Sequence, residues 1–141
     1  MYRFVIILIA LTACGQKYAD QRSAELLSEL GKSTTQHFEF LMKAHGTPSC
    51  DYKSVESEKW RKEIDGQMRV ISARVSVLEP DAKASVNRLW TSYEEFDRTL
   101  RLLDENPVSP SWEDKCMDAE SIMKYQAVVE AASSTLESVL R

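Results

Sequence analysis

The chain has 141 residues and a formal net charge of −4, and 43% of its residues are hydrophobic while 28% are charged. This length suits a single domain with a substantial core, and the composition is that of an ordinary globular protein. The negative charge disfavours a nucleic-acid partner, since such binders usually carry a basic face. No stretch of the sequence reaches the roughly 18 apolar residues that a membrane-spanning helix needs.

Residues 1–13 have the features of a secretory signal peptide. Arg3 supplies a positive charge, residues 4–11 contain no polar side chain, and the small residues Thr12 and Ala13 follow. An apolar run of about eight to ten residues makes about 12–15 Å of helix, which is too short to span a bilayer. The alternatives are a conventional signal peptide with a chance cysteine behind it, and an ordinary buried N-terminus.

The residues directly behind this apolar run are Leu11-Thr12-Ala13-Cys14. They resemble the lipobox of bacterial lipoproteins, in which the cysteine becomes the lipidated first residue of the mature protein. The resemblance covers the export signal only, and the rest of the chain is not assigned to a family. It implies a palmitate-bearing Cys14 that holds the protein at a membrane, followed by a short tether over residues 14–17. More than one acyl chain is enough for stable anchoring.

The residue after the predicted lipidated cysteine is Gly15. In lipoproteins of enteric-type bacteria, an aspartate at this position resembles an inner-membrane retention signal, and glycine is not one. The same resemblance therefore favours the outer membrane, facing the periplasm, over the inner membrane.

Two further cysteines, Cys50 and Cys116, remain after Cys14 is assigned to the lipid. Two thiols in an exported protein most simply form one disulfide. It would close a loop of roughly 65 residues, which stabilises a fold by about 4 kcal/mol in the chain-entropy model. Two free thiols are the alternative if the protein is cytoplasmic. Neither cysteine belongs to a Cys-x-x-Cys pair, so thiol redox catalysis has little support.

Residues 18–141 have a helical pattern that prolines interrupt at three joints. The joints lie at Gly46–Pro48, at residues 79–81 and at residues 106–110. They divide the domain into four helical segments: about 18–45, 53–78, 80–105 and one from Ser111 to the end. In the first segment, Gly31 and the polar residues behind it could end one helix and cap another. We expect one helix there, with two short helices as the alternative.

Each segment has an apolar seam with the period of an α-helix. The third segment is the most regular, since its seam follows a 4-3-4-3-4-3 spacing. We expect these seams to form the core. Their residues are Leu27, Leu30, Phe38 and Leu41; Trp60, Ile64, Met68, Ile71, Val75 and Leu78; Ala82, Val86, Leu89, Tyr93, Phe96, Leu100 and Leu103; and Ile122, Val129, Leu136 and Leu140.

Four helices with short joints predict an all-α, up-down-up-down four-helix bundle. In that topology the first and third joints lie at the same end, and these joints contain Cys50 and Cys116. The expected disulfide and the expected topology therefore support each other. Trp60 and Trp112 fall near this end. We assign them as possible partner contacts, with core and capping bulk as the other interpretation.

The sequence has little that indicates catalysis or a cofactor. His37 and His45 lie eight residues apart, about 12 Å along a helix, so they cannot hold one ion between them. The Glu-x-x-His signature of di-iron bundles and the Cys-x-x-Cys-His of c-type haem are both absent. A Cys50–His45 nucleophile is the only pairing that sequence proximity suggests. We predict no metal, no cofactor and no catalytic residue. The remaining alternative is a haem held by His37 or His45 with Met68, Met117 or Met123.

The predicted export signal with its lipidated cysteine, the predicted helical bundle and the lack of a catalytic motif together predict a membrane-anchored envelope lipoprotein. Its expected role is that of a non-enzymatic protein-interaction or structural module with a protein partner of unknown identity. One alternative is an inhibitor, immunity or exclusion lipoprotein that blocks a single protein. Another is a carrier of a small ligand or cofactor in the bundle core. The regular seams could also serve a dimer.

Overall fold

The structure, a computed structural model, describes residues 2–75, 77, 80–105 and 111–140, and describes the backbone alone for residues 2–20, 80, 81 and 113. All of its regular structure within these ranges is helical. The predicted all-α fold is therefore confirmed. The elements are α1 (Tyr2–Ala44), a 3-10 helix (Pro48–Cys50), α2 (Val55–Val75), α3 (Pro80–Asp104), the one-turn α4 (Trp112–Lys115) and α5 (Ala119–Leu140).

The four long helices pack as a ring in which α1 and α3 each contact both α2 and α5. Contacts between α1 and α2 run in opposite chain directions. Arg74 donates to Ser23 at one end of the pair, and the rings of His37 and Trp60 stack near the other. Helices α1 and α2 are thus antiparallel, in agreement with the up-down-up-down topology, and the four-helix bundle is confirmed.

The core is built from the apolar seams. Every described seam residue is buried except Trp60 and Leu103, which are partly buried. Phe38 on α1 and Phe96 on α3 meet at the centre, with ring centroids 4.7 Å apart. The core also contains His37, whose side chain is 1% exposed, and the sequence pattern did not indicate this.

Helix α1 continues through Gly31, so the expectation of one helix is confirmed. The hydroxyl groups that suggested a second cap serve other purposes. Thr34 donates back to the carbonyl oxygen of Gly31 over 3.0 Å, and Ser33 donates to Glu63 on α2 over 3.2 Å. Both bonds are compatible with a continuous helix, because a hydroxyl can bond to the preceding turn or to a neighbour without replacing a backbone bond.

The fourth segment differs from the expectation of one helix starting at Ser111. The helix that begins there has a single turn, and Cys116 follows it with an extended backbone at φ −81°, ψ 141°. A new helix, α5, then begins behind Asp118, whose carboxylate accepts from the backbone N–H of Ser121 over 2.7 Å. The interruption gives Cys116 a direction that continuous helix would not allow, and Asp118 replaces the lost hydrogen bonds as an N-cap.

Some predictions fall outside the described residues. These are the joint at residues 106–110, Leu78 at the expected end of the second helix, and the side chain of Cys14. Helix α2 ends at Val75 rather than at Leu78. Within the residues whose side chains are described, no helix has an apolar stretch long enough to cross a bilayer.

Candidate functional site

The predicted disulfide between Cys50 and Cys116 is present, with the two Cα atoms 5.5 Å apart. Cys50 ends the 3-10 helix between α1 and α2, and Cys116 follows α4. Both sulfurs are buried beside Ala44, and Phe40 and Trp112 pack against them. The bond ties the turn behind α1 to the segment between α3 and α5, and it uses the thiol that a Cys50–His45 nucleophile would need.

Polar contacts fasten the same two segments beside the disulfide. The backbone N–H of Gly46 points at Cys116 Sγ over 3.2 Å, and His45 Nδ1 lies 3.2 Å from the carbonyl oxygen of Met117. Gly46 has a φ of 76°, which glycine adopts without the strain that a side chain would cause. This end of the bundle is therefore held by one covalent bond and by matched backbone groups.

The two tryptophans assigned as possible partner contacts occupy different places. Trp112 is partly buried against the disulfide, with Lys115 Nζ 5.2 Å from its ring centroid. Trp60 is also partly buried, but its ring stacks on that of His37 at a centroid distance of 6.3 Å. Only Trp112 is thus part of the cluster around the disulfide.

Exposed apolar side chains accompany Trp112 at this end. Val55 begins α2 and is 80% exposed, Leu102 lies two residues before the end of α3 and is 52% exposed, and Met123 lies in the first turns of α5 and is 54% exposed. We refer to Val55, Leu102, Trp112 and Met123 as the distal surface. The sequence seams did not indicate Val55, Leu102 and Met123, because these residues lie outside the seams on three different helices.

His37 is buried among aromatic rings on the inner face of α1. Its Nδ1 lies 3.4 Å from the hydroxyl of Tyr93, and its Nε2 is buried without a hydrogen-bond partner. Burial, together with the positive charge of Arg61, lowers the pKa of His37 to about 3, so the ring is neutral. Among the residues with described side chains, no three His, Cys, Asp or Glu residues are grouped so that they could hold a metal ion.

A pocket of about 310 Å³ opens at the surface between α2 and α3. It combines aromatic rings with charges of both signs, and we call it the α2–α3 pocket. Its lining residues are Tyr52, Arg61, Lys62, Asp65, Met68, Trp90, Tyr93, Glu94 and Asp97. The sequence analysis missed it because the lining residues come from two helices and from a turn that lie far apart in the chain.

Tyr52 organises the end of the pocket nearest the disulfide. Its hydroxyl donates to Asp97 over 2.9 Å, and burial together with this bond raises its pKa, so it stays a donor. The guanidinium carbon of Arg61 lies 3.6 Å from the centroid of the Tyr52 ring, and Arg61 also donates to the Tyr52 carbonyl oxygen. On the opposite wall, the indole N–H of Trp90 donates to Glu94.

The charges of the pocket are unequally matched. Lys62 pairs with Glu58 over 2.7 Å, and Asp65 pairs with Arg69 over 2.8 Å. Arg61 has no carboxylate within 4.0 Å among the described side chains, and its Nε is buried without an acceptor. The guanidinium of Arg61 therefore keeps unused hydrogen-bond donor capacity.

A pair of carboxylates lies near the disulfide, formed by Asp51 in the joint between α1 and α2 and by Asp104 at the end of α3. Burial and the neighbouring Asp51 raise the pKa of Asp104, the last residue of α3. For Asp51 partial burial acts in the same direction, but hydrogen bonds, chiefly from the backbone N–H of Lys53, outweigh it and lower the pKa. Lys53 Nζ lies 3.4 Å from the Asp104 carboxylate, and this contact partly offsets the repulsion.

A wider groove of about 730 Å³ runs between α1 and α5, and small or polar side chains line most of it. Gly31 lies in its wall, and a Cβ atom added there would meet no atom within 4 Å. The carboxylates Glu39, Glu130 and Glu137 outnumber the single ammonium of Lys32. The groove is therefore open and acidic, with Leu27 as its buried apolar floor.

The chain matches no known protein family, no curated protein and no solved structure. The functional argument therefore depends on the residues and their geometry.

Proposed function

We propose that this chain is a lipid-anchored envelope protein whose helical domain is a non-enzymatic protein-interaction module. The observation that carries the proposal is the distal surface. It exposes three large apolar side chains at the same end of the bundle as Trp112, the end that the disulfide holds in place. Exposed apolar side chains grouped in one region are typical of interaction sites, and tryptophan is enriched among residues that dominate binding.

The geometry of α1 suits an anchor at one end and a contact surface at the other. The helix is continuous from Tyr2 to Ala44, so Cys14 and Ala44 are separated by about 45 Å along its axis. Ala44 packs beside the disulfide. A lipid on Cys14 would thus hold the bundle upright, with the distal surface facing away from the membrane and into the periplasm.

The disulfide supports an envelope location. Disulfides persist in oxidising compartments such as the periplasm and are rare in the cytosol. Together with the lipobox and with Gly15, this favours the periplasmic face of the outer membrane. An inhibitor or immunity lipoprotein would use the same anchor and surface, and the identity of the partner would distinguish the two roles.

The anchor is tested by the mass of the mature protein purified from membranes of a lipoprotein-processing host. We expect a chain that begins at Cys14 and carries added acyl groups. Cys14→Ser should abolish both cleavage and lipid attachment, whereas the double variant Cys50→Ser/Cys116→Ser should keep both. A mature chain that begins elsewhere, or one without lipid, would contradict the anchor.

The contact surface is tested by photo-cross-linking in cells, with the cross-linking residue placed at Leu102 or Val55. The matched control is Val77, which is 84% exposed and lies in the turn at the opposite end of α2. We expect one dominant protein adduct from the distal positions and none from Val77. Adducts of equal yield from all three positions, or none from Leu102 and Val55, would rule out the distal surface as the contact.

A further inference from the structure

We propose that the α2–α3 pocket binds a small zwitterion, namely an α-amino acid with an apolar side chain. The ligand carboxylate would bind Arg61, and its ammonium would lie between Glu94 and Asp97. This site is separate from the distal surface and does not depend on the proposed protein partner.

Arg61 supplies the anion-binding half of the site. Its guanidinium is partly buried, stacks on Tyr52 and has no ion-pair partner among the described residues. A guanidinium presents a planar fork of donors that matches a carboxylate, and partial burial strengthens such a charge-assisted pair. A ligand carboxylate would form the direct ion pair with Arg61 that no described carboxylate of the chain makes.

Three carboxylates supply the cation-binding half. Asp65, Glu94 and Asp97 line the pocket, and each accepts a hydrogen bond from a side chain of the protein. A carboxylate has about four acceptor positions, so each keeps capacity for an ammonium donor. The aromatic rings of Trp90 and Tyr93 on the same wall add a favourable environment for a cation.

The balance of charge selects a ligand with both signs. A simple anion on Arg61 would face three carboxylates in the same pocket, and a simple cation among the carboxylates would face Arg61 and Lys62. Like charges at short range oppose binding. A zwitterion places each of its charged groups against the opposite charge, so neither repulsion dominates.

The remaining surface and the volume define the rest of the ligand. Met68 and Tyr93 are buried and form the inner wall, and the partly buried Trp90 flanks them. A pocket of about 310 Å³ is at the small end of the range for ligand sites, which suits an amino acid better than a large cofactor. Aliphatic and aromatic side chains fit this inner wall.

The site is held in shape before the ligand arrives. Tyr52 follows the disulfide residue Cys50 by two positions, and its hydroxyl is bound to Asp97 on α3. Arg61 is held by both the ring and the carbonyl oxygen of Tyr52. Groups that are already ordered lose little conformational freedom on binding, which favours affinity.

The test is calorimetric titration of the full-length protein in detergent with three probes. These are L-phenylalanine, 3-phenylpropionate, which lacks the ammonium, and phenethylamine, which lacks the carboxylate. We expect saturable one-to-one binding of L-phenylalanine and at least about tenfold weaker binding of the other two, because each lacks one charge-assisted contact.

Two pairs of variants assign the charges to residues. Arg61→Gln should weaken binding of L-phenylalanine and 3-phenylpropionate by about tenfold and should not weaken binding of phenethylamine, whose charge Arg61 opposes. The exposed Arg98→Gln should change none of them. Glu94→Gln keeps an acceptor for Trp90 but loses the charge, and should weaken binding of L-phenylalanine and phenethylamine. Glu95→Gln, its exposed neighbour, is the control.

Several results would overturn the proposal. They are the absence of saturable binding by L-phenylalanine, equal binding of L-phenylalanine and either single-charge probe, and unchanged affinity in a folded Arg61→Gln variant. If Arg61→Gln does not fold, as judged by circular dichroism, the Glu94→Gln and Glu95→Gln pair decides, because both side chains are exposed. None of these outcomes changes the result expected from cross-linking at the distal surface, so the two proposals are tested independently.

Discussion

The hydroxyl of Tyr93 on α3 lies 3.4 Å from Nδ1 of His37 on α1, and both side chains are buried. Phe96 meets the His37 ring edge-on, at a centroid distance of 5.6 Å. The buried Nε2 of His37 has no acceptor. A second proton on the ring would create a positive charge among apolar neighbours, and the N–H at Nε2 would have no acceptor, which is why the neutral ring is favoured.

Stability should therefore fall in mild acid. The pKa of His37 is lowered from 6.5 to about 3 by burial and by Arg61. Below pH 6.5 the unfolded state takes up a proton on His37 and the folded state does not. The contribution of the neutral His37 to the free energy of unfolding is therefore fully present above pH 6.5. It is lost toward pH 3, by up to about 1.4 kcal/mol per pH unit. Urea unfolding between pH 7.5 and 4 measures this loss.

Other carboxylates also titrate in this range, so the comparison is with His37→Gln. That variant should lose less stability than the wild type between pH 6.5 and 4. His45→Gln leaves His37 in place and should follow the wild type. If the wild type and His37→Gln have parallel pH profiles, the ring is not buried as described.

Removal of the disulfide should destabilise the bundle strongly. Cys50 and Cys116 are separated by 66 positions. A cross-link over a loop of this length lowers the entropy of the unfolded chain, which stabilises the fold by about 4 kcal/mol. The double variant Cys50→Ala/Cys116→Ala should therefore unfold at a much lower urea concentration than the oxidised protein. Reduced wild type is the control, and it should behave like the double variant. Equal midpoints for oxidised and reduced protein would contradict the prediction.

Two helical glycines should tolerate alanine with a gain in stability. A Cβ atom at Gly31 on α1 or at Gly66 on α2 would meet nothing within 4 Å, apart from the local helix backbone. Alanine is favoured over glycine in a helix interior by about 1 kcal/mol. Thermal unfolding of Gly31→Ala and Gly66→Ala should show higher midpoints, additive in the double variant. A lower midpoint for either variant would mean that the added methyl group clashes with neighbouring atoms.

Asp104→Asn should stabilise the protein at neutral pH. Burial and Asp51 raise the pKa of Asp104, so its ionised form is disfavoured in the folded state above that pKa. The carboxylate also ends α3, where a negative charge opposes the helix dipole by about 0.3–1 kcal/mol. The contact with Lys53, an exposed side chain, is a small offset.

Denaturant unfolding at several pH values measures this effect. The gain from Asp104→Asn should be largest near pH 7 and should shrink as the pH falls and Asp104 protonates in the wild type. The adjacent Glu105→Gln is the control, because Glu105 is exposed and its ion pair with Arg101 is long, at 3.9 Å. A destabilised Asp104→Asn variant at pH 7 would show that the Lys53 contact outweighs the repulsion.

The sequence by itself determined the architecture. Periodic apolar residues such as Leu89, Phe96 and Ile122 mark the buried faces, because the repeat of a helix is a local property of the chain. The pairing of Cys50 with Cys116 followed from the count of cysteines left after Cys14, and the alternating direction of helices with short joints was consistent with it. The lipobox-like motif Leu11-Thr12-Ala13-Cys14 is likewise linear, so the lipid anchor predicted from it depends on no tertiary contact.

Only the tertiary structure decided which polar residues come together. In the sequence, nothing distinguishes His37 from an ordinary polar residue of α1, whereas in the structure Tyr93 and Phe96 pack against it. Arg61 and Asp97 are 36 positions apart, and the packing of α2 against α3 brings both to one pocket, where Tyr52 contacts each of them. Such contacts depend on the relative position and rotation of whole helices, which side-chain packing sets and hydrophobic periodicity does not specify.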